Sequence, residues 1–178
     1  MMQKLIELAK KEYPTRQRFT ALFFEALFFL IVLPFLLVWL GGAIDRWLSL
    51  PDLTAGVFNL LLGLPVLFSG WLFAIWSIYV QFTIGRGTPI PVMATQELII
   101  QPPYSYTRNP MALGAILMYT GVSILVGSIG AFLLVLFGAS ALLTYIHTFE
   151  EQEMVLRFGE PYLEYRRQTP FFIPRFKR

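Results

Sequence analysis

Two groups of polar residues in this 178-residue chain carry opposite charges and hydrogen-bonding side chains of the kind that bind a polar ligand. The first runs from Tyr104 to Asn109 and contains Arg108 among hydroxyl and amide groups. The second is the pair Glu150 and Glu151. If the two groups meet, Arg108 faces the glutamates. That contact is either part of a functional site or a structural salt bridge at the ends of two helices.

The stretch between the two groups predicts that they do meet. Residues 109–149 contain no Asp, Glu, Lys or Arg. This stretch is longer than one membrane span and barely long enough for two. Glycine and serine residues at 127–130 supply a turn in the middle. We therefore expect a tight hairpin of two spans, at about 111–126 and 131–147, with its polar ends side by side.

Small residues recur at regular spacing along the predicted hairpin. Gly114, Gly121 and Ser128 are spaced by seven, as are Ala131, Gly138 and Tyr145. Small residues at this spacing let a second membrane helix approach closely. The alternative is a chance distribution, because small residues are common in membrane helices generally.

The composition of the whole chain predicts an all-α, polytopic integral membrane protein. Hydrophobic residues make up 56% of the chain and charged residues 14%, whereas a soluble domain carries roughly 25% charged residues. The apolar residues cluster into runs long enough for a helix to cross a bilayer. We expect four transmembrane helices, at about 19–40, 57–80, 111–126 and 131–147, the last two forming the hairpin.

Two further segments, 81–110 and 148–178, are expected to lie in the cytoplasm and to form the ligand site. Five prolines interrupt the first segment, so no long helix can run through it. Structured loops of this length are usually functional. The tail should continue the fourth span as a helix that ends at Gly159, just before Pro161.

The basic residues predict the orientation of the chain. Of its 14 lysines and arginines, 13 lie in the N-terminal segment, the loop 81–110 and the tail, whereas the loop after the first span has only Arg46. Basic loops favour the cytoplasmic side of a membrane, so we expect both termini in the cytoplasm. The residues before Pro14 form either a short helix on the membrane surface or a loosely ordered tail.

Composition also excludes some kinds of site. The chain has no cysteine and a single histidine, His147, so it has no cysteine nucleophile, and we expect no metal site. Glu25 is the one charged residue inside the first predicted span. It is either a functional buried carboxylate or a side chain that reaches the membrane surface.

Five short motifs follow one another around and beyond the charge-free stretch. They are residues 85–89 (Gly-Arg-Gly-Thr-Pro), 103–111 (Pro-Tyr-Ser-Tyr-Thr-Arg-Asn-Pro-Met), Glu150-Glu151, 158–165 (Phe-Gly-Glu-Pro-Tyr-Leu-Glu-Tyr) and 170–174 (Pro-Phe-Phe-Ile-Pro). In this order they resemble the isoprenylcysteine carboxyl methyltransferase and phospholipid methyltransferase superfamily of membrane enzymes, over roughly Gly85 to Phe176. Asn109 stands where histidine is common in the family, and Ala112 where tyrosine is typical.

The resemblance implies that the protein binds S-adenosylmethionine at the cytoplasmic end of the hairpin and transfers its sulfonium methyl group to a substrate that enters from the bilayer. The cofactor-binding residues that it implies are Tyr104, Tyr106, Arg108, Asn109, Pro110, Met111, Gly114, His147, Glu150 and Glu151. Arg108 and Glu151 are expected to be catalytic.

The residue types suit this cofactor. Arg108 can hold its carboxylate through paired hydrogen bonds, and the two glutamates can accept hydrogen bonds from its ammonium and ribose hydroxyls. Tyr104 or Tyr106 can stabilise the sulfonium, unless both are interfacial anchors. Asn109 can bind adenine or ribose, and His147 either touches the cofactor or bonds a backbone carbonyl. Methyl transfer mainly needs in-line positioning, so no catalytic base is required.

We therefore expect a membrane methyltransferase that acts on a lipid or lipid-tailed acceptor, either a prenylcysteine carboxylate or a phospholipid amine. Its partners should be membrane lipids and this acceptor, with no nucleic acid, and the oligomeric state is left open. The alternatives are a non-catalytic four-span scaffold and a small transporter. The transporter is the weaker alternative, because the span interiors hold little besides Glu25 that could line a polar path.

Overall fold

The computed structural model describes residues 13–54, 56–89 and 93–175. Within these ranges the protein is all-helical and contains no β-strand. Five helices follow one another: α1 Thr15–Leu48, α2 Val57–Thr83, α3 Pro110–Val126, α4 Ile129–Phe158 and α5 Glu160–Gln168. The choice between a surface helix and a loose tail for residues 1–12 falls outside the described residues.

The helices have the length and surface of membrane spans. α1, α2 and α4 are long and apolar enough to cross a bilayer. α3 is apolar but has only 17 residues, which gives a length of about 26 Å. Large apolar side chains such as Phe35, Trp47 and Phe137 are mostly exposed on these helices, as expected for surfaces that contact lipid. The chain is therefore an integral membrane protein.

The chain forms two compact units. Among the described residues, the first contains those within 1–25, 75–111 and 144–178, and the second contains those within 26–74 and 112–143. Most of the residues expected to bind a ligand belong to the first unit.

α1 is longer than the span predicted at 19–40. It consists of α-helical segments Thr15–Leu27 and Leu33–Leu48 around a π-helical turn, Phe28–Val32. The wider turn ends two residues before Pro34. Proline has no N–H to donate, and its ring would collide with the carbonyl four residues earlier in a regular α-helix. The π turn relieves that collision, and the helix continues to a left-handed C-cap at Ser49, where φ is 51°.

Within the second unit, α3 packs closely on α2. A Cβ atom at Gly114 would lie 2.6 Å from the backbone nitrogen of Ala74, and one at Gly121 would lie 2.5 Å from that of Leu67. Only glycine fits where two helix backbones are this close. The expectation of close packing is confirmed for Gly114 and Gly121, with α2 as the partner. It is wrong for Gly138, where a Cβ would meet no atom within 4 Å.

The start of α4 is capped by side chains in the same unit. The Ser128 hydroxyl accepts a hydrogen bond from the Ala131 N–H (2.9 Å). The carboxylate of Asp45, near the end of α1, accepts one from the Gly130 N–H (2.6 Å) and another from the Ser128 hydroxyl. These bonds satisfy N–H groups that have no partner within the helix.

The first unit contains the end of α4 and all of α5. α4 passes through a π-helical turn, Ile146–Glu150, into a last α-helical segment, Glu151–Phe158. It ends at Gly159, which has a φ of +61°, and Pro161 lies in the first turn of α5. The predicted helix end at Gly159 is confirmed, because glycine adopts this backbone conformation without steric cost.

Candidate functional site

Hydrogen bonds join the segment before α3 to the segment after α5, and we call residues 103–110 and 169–175 together the loop–tail junction. The bonds run from Arg108 N to Pro170 O (2.9 Å), from Arg175 N to Tyr106 O (3.0 Å), from Thr107 Oγ1 to Phe171 O (3.2 Å) and from Asn109 Nδ2 to Phe171 O (2.8 Å). The polar loop and the tail, which are far apart in sequence, therefore fold as one structure.

The guanidinium of Arg108 lies at the centre of this junction. Its Nε donates to Glu151 Oε1 at 2.9 Å, and its Nη2 donates to the same oxygen. Its Nη1 donates to the carbonyls of Arg166 (2.9 Å) and Thr169 (2.8 Å). The two charged side chains are only 10% and 7% exposed. Arg108 thus faces Glu151 of the glutamate pair as expected, but protein acceptors already use four of its five N–H groups.

Glu151 has its second carboxylate oxygen directed elsewhere. This oxygen, Oε2, lies 3.6 Å from Nδ1 of His147. The His147 side chain is 69% exposed, and its ring meets that of Phe171 edge-on at 5.5 Å. His147 belongs to the π-helical turn of α4, a distortion that often occurs at functional sites.

An open groove of about 470 Å³ runs beside this carboxylate, along the end of α4 and α5. Its polar walls are His147, Glu151, Gln152 and Arg166, and its apolar walls are Val155, Leu156 and Leu163. Arg166 was not among the residues expected to bind a ligand. A signal was available, because Arg166 follows Tyr162 by one helical turn on a short helix, and residues four apart share one helix face.

Tyr104 contributes a buried hydroxyl. Its ring packs with Val80 and Ile99 in a small apolar core, and its backbone carbonyl accepts a hydrogen bond from the Tyr165 hydroxyl (2.7 Å). The residue is 9% exposed, and its own hydroxyl has no hydrogen-bond partner among the residues described. Burial raises its pKa strongly, and the charges of Tyr165 and Glu150 raise it further. The hydroxyl therefore stays protonated and can donate.

The pKa of the Tyr162 hydroxyl depends on the charged residues around the site. Burial raises the pKa of its hydroxyl to about 12, and the negative charge of Glu151 adds to the effect. The positive charges of Arg108 and Arg166 act in the opposite direction. Charges of both signs therefore lie around this one buried side chain.

The other expected ligand residues have more varied surroundings. Tyr106 meets Trp76 edge-on at 6.1 Å. Pro110, which is buried, and Met111 are the first residues of α3. Gly114 belongs to the second unit, where it contacts the backbone of α2.

Glu25 is enclosed by the protein. It is only 4% exposed, and its Oε1 accepts a hydrogen bond from the Thr88 hydroxyl at 2.9 Å. Thr88 belongs to the Gly-Arg-Gly-Thr-Pro motif of the loop. The carboxylate is therefore buried against the loop and not exposed at the membrane surface.

The chain is similar to known methyltransferases. The model of the phospholipid methyltransferase family matches residues 58–161, more than half of the chain. The chain is also similar to methanethiol S-methyltransferase 2 of Bradyrhizobium diazoefficiens, with 27% identity over 144 residues. That match covers 73% of this chain and 53% of the relative, so the chain spans about half the length of this relative. No solved structure matches the chain.

The family match begins earlier than the resemblance recognised in the sequence, which started at Gly85, and it takes in α2. It contains Arg108 and both glutamates of the pair, and it ends shortly after Gly159. The chain belongs to the phospholipid methyltransferase family.

Proposed function

We propose that the protein is a membrane methyltransferase that uses S-adenosylmethionine. Methyl transfer follows from the family, and the Tyr104 hydroxyl is the observation that supports a cofactor site in this chain. It is a buried donor without a partner among the described residues, next to the charge of Glu150. Buried polar groups are rarely left unsatisfied in proteins unless a ligand or water meets them.

The described residues offer the groups that this cofactor needs. S-adenosylmethionine supplies an electrophilic methyl group when bound, and it carries an ammonium, a carboxylate and ribose hydroxyls. Glu150 and Glu151 can accept hydrogen bonds from the ammonium or the hydroxyls, and Tyr104 can donate one. The rings of Tyr106 and Trp76, which meet edge-on, can stabilise a sulfonium.

Of the two residues expected to be catalytic, Glu151 would contact the cofactor and Arg108 would position it. Arg108 holds Glu151 Oε1 with two N–H groups and the tail carbonyls with two more. Its role is therefore to fix the carboxylate and the tail around the reacting groups. Holding reactants in line accounts for most of what a methyl transfer requires of a protein.

We propose a lipid or lipid-tailed acceptor, either a phospholipid amine or a prenylcysteine carboxylate. The helices expose large apolar side chains over most of their length, so a tail can remain in the bilayer while its head reaches the site. Each buried CH₂ of such a tail contributes roughly 0.8 kcal/mol of membrane partitioning, which concentrates the acceptor. An amine acceptor releases a proton on methylation, whereas a carboxylate does not.

A small thiol is the second candidate acceptor. It is favoured by the similarity to a protein named methanethiol S-methyltransferase 2. A thiol of this size has no tail, so its methylation would not depend on chain length. This difference separates the two candidates experimentally.

The protein should be reconstituted in bilayer nanodiscs and given methyl-labelled S-adenosylmethionine with one acceptor at a time: phosphatidylethanolamine, a prenylcysteine or methanethiol. We expect label on a lipid-tailed acceptor, and much less on an analogue with the same head and a short tail. Arg167→Ala changes an exposed side chain that pairs with Glu160 and Glu164, and it should leave the rate unchanged. Label on methanethiol alone would favour the thiol. A protein that neither transfers label nor binds S-adenosylhomocysteine would be a scaffold.

We also propose that α3 completes a four-span topology as a hairpin with α4, with both termini in the cytoplasm. The distribution of basic residues supports this orientation, since Arg46, near the end of α1, is the one lysine or arginine between the first and second predicted spans. A reporter after Arg178 should be cytoplasmic, and a tag beside Asp52 should react with an impermeant reagent added from outside. A tag at Asp52 that is protected from this reagent would rule out the topology.

A further inference from the structure

The fold holds the backbone of Arg166 in place and leaves its guanidinium without an ion-pair partner among the described residues. Its backbone carbonyl accepts a hydrogen bond from Arg108 Nη1 (2.9 Å). Its side chain is exposed, lines the groove beside α4 and forms no ion pair with any described residue. The neighbouring Arg167 differs, because it pairs with Glu160 at 3.5 Å and Glu164 at 3.2 Å.

The same groove is lined by the Glu151 carboxylate, of which only one oxygen accepts hydrogen bonds from Arg108. Glu151 gives one oxygen to Arg108, and its other oxygen is directed to the groove-lining His147 at 3.6 Å. Arg108 therefore fixes both sides of the groove, through the Glu151 carboxylate on α4 and the Arg166 backbone on α5. One open groove is therefore lined by the Glu151 carboxylate, which Arg108 fixes, and by the Arg166 guanidinium, which can donate two parallel N–H groups.

We propose that this groove binds the α-amino-acid end of S-adenosylmethionine, with the carboxylate on Arg166 and the ammonium on Glu151 Oε2. The proposal rests on the proposed function and assigns the carboxylate to a residue outside the matched family segment, which ends at residue 161. A guanidinium binds a carboxylate through a planar pair of hydrogen bonds, and a carboxylate oxygen accepts from an ammonium. The groove thus offers complementary charge to both ends of a zwitterion.

Arg108 does not suit the carboxylate role that its sequence position first indicates. One N–H of Nη2 remains, so it cannot form a paired contact without releasing Glu151 or the tail. Releasing Glu151 would leave a buried carboxylate uncompensated, which is strongly unfavourable. The paired contact is open to Arg166 alone of the two arginines.

The test compares ligands that differ by one charged group. Binding to the protein in phosphatidylcholine nanodiscs is measured by calorimetry for S-adenosylhomocysteine, for its analogue without the α-carboxylate and for its analogue without the α-ammonium. Arg166→Ala should weaken the binding of S-adenosylhomocysteine by about 10- to 100-fold and leave the affinity for the decarboxylated analogue unchanged. Glu151→Gln keeps an oxygen that can accept from Arg108. It should weaken the binding of S-adenosylhomocysteine but not that of the deaminated analogue.

Arg167→Ala is the matched control and should bind all three ligands as the wild type does, while Arg166→Lys should recover part of the lost affinity. If Arg166→Ala weakens the full ligand and the decarboxylated analogue equally, its effect is not on the carboxylate and the proposal is wrong. It is also wrong if Arg166→Ala lowers methyl transfer to a lipid without changing any ligand affinity, since the groove would then serve the acceptor. A wild-type protein that binds no ligand would contradict the proposed function itself.

Discussion

The loop–tail junction of the first unit and the α2–α3 contact of the second unit are held together in opposite ways. The junction depends on directed hydrogen bonds, such as those from Arg108 to Glu151 and to the tail carbonyls. The α2–α3 contact depends on what is missing, because Gly114 and Gly121 have no Cβ to separate the two backbones. The junction requires particular polar atoms, whereas the α2–α3 contact requires residues without a side chain.

The difference follows from the surroundings of each region. Between two apolar helices in a bilayer there is no hydrophobic gain on association, so close van der Waals contact has to stabilise the pair. A loop and a tail of irregular backbone instead present many N–H and C=O groups that need partners when buried. The consequence for mutation is that the junction should be sensitive to charge, and the helix contact to volume.

Arg108→Ala should have the largest effect on stability. It leaves Glu151 buried without its cation, and removing one partner of a buried ion pair costs about 3–5 kcal/mol. Denaturant unfolding in detergent micelles measures the loss. The double variant Arg108→Met with Glu151→Leu removes both charges and should be more stable than the single variant, yet should bind no S-adenosylhomocysteine. A double variant as unstable as the single one would show that the ion pair does not limit stability.

Gly121→Leu should be the most damaging change in the second unit. Its Cβ would lie 2.5 Å from the Leu67 nitrogen, so α2 and α3 must move apart, at a cost of about 1–3 kcal/mol for overpacking. The matched control is Gly138→Leu, since a Cβ there meets no atom within 4 Å. Both variants are compared by thermal unfolding in the same detergent. Equal stability of the two would contradict the close contact.

Asp45→Ala should have a moderate effect confined to the start of α4. It removes the acceptor of the Gly130 N–H and of the Ser128 hydroxyl, and the loss of a helix cap costs about 0.5–2 kcal/mol. The exposed Asp52 provides the control, and Asp52→Ala should leave stability unchanged. Hydrogen exchange should rise in the first turn of α4 in Asp45→Ala alone. Unchanged protection of Gly130 and Ala131 would show that Asp45 is not the cap.

Tyr104→Phe should have the smallest effect on folding. Its hydroxyl makes no hydrogen bond with the described residues, so stability should stay within about 0.5 kcal/mol of the wild type, while affinity for S-adenosylhomocysteine falls. Tyr165→Phe is the contrast, because it removes the bond to the Tyr104 carbonyl (2.7 Å) and should cost about 1–3 kcal/mol. If Tyr104→Phe destabilises the protein as much as Tyr165→Phe does, the hydroxyl serves the fold and not a ligand.

The sequence predicted the positions of the helices well and their lengths less well. The second and third predicted spans agree with α2 and α3 to within three residues at either end. α1 is longer than predicted because Arg16, Arg18, Asp45 and Arg46 lie inside it. Charged residues end an apolar run without ending a helix, so hydropathy underestimates a helix that continues beyond the hydrocarbon.

The meeting of Arg108 and Glu151 was also predictable, since a charge-free stretch long enough for two spans separates them. The use of Arg108 was not predictable. Its additional acceptors are the carbonyls of residues 166 and 169, which lie 58 and 61 positions away. Every residue carries a backbone carbonyl, so no pattern in the sequence indicates which carbonyls will face an arginine.

The sequence by itself determined that this is a membrane protein, where its helices run and to which family it belongs, because hydrophobic runs and short motifs are local properties of the chain. Only the tertiary structure decided that Arg108 donates its hydrogen bonds to acceptors within the protein, that Arg166 lines the groove and that Gly114 contacts α2. These outcomes depend on which distant backbone atoms come within hydrogen-bonding or van der Waals distance. That distance is set by how the helices and the tail pack, and residue type alone does not fix it.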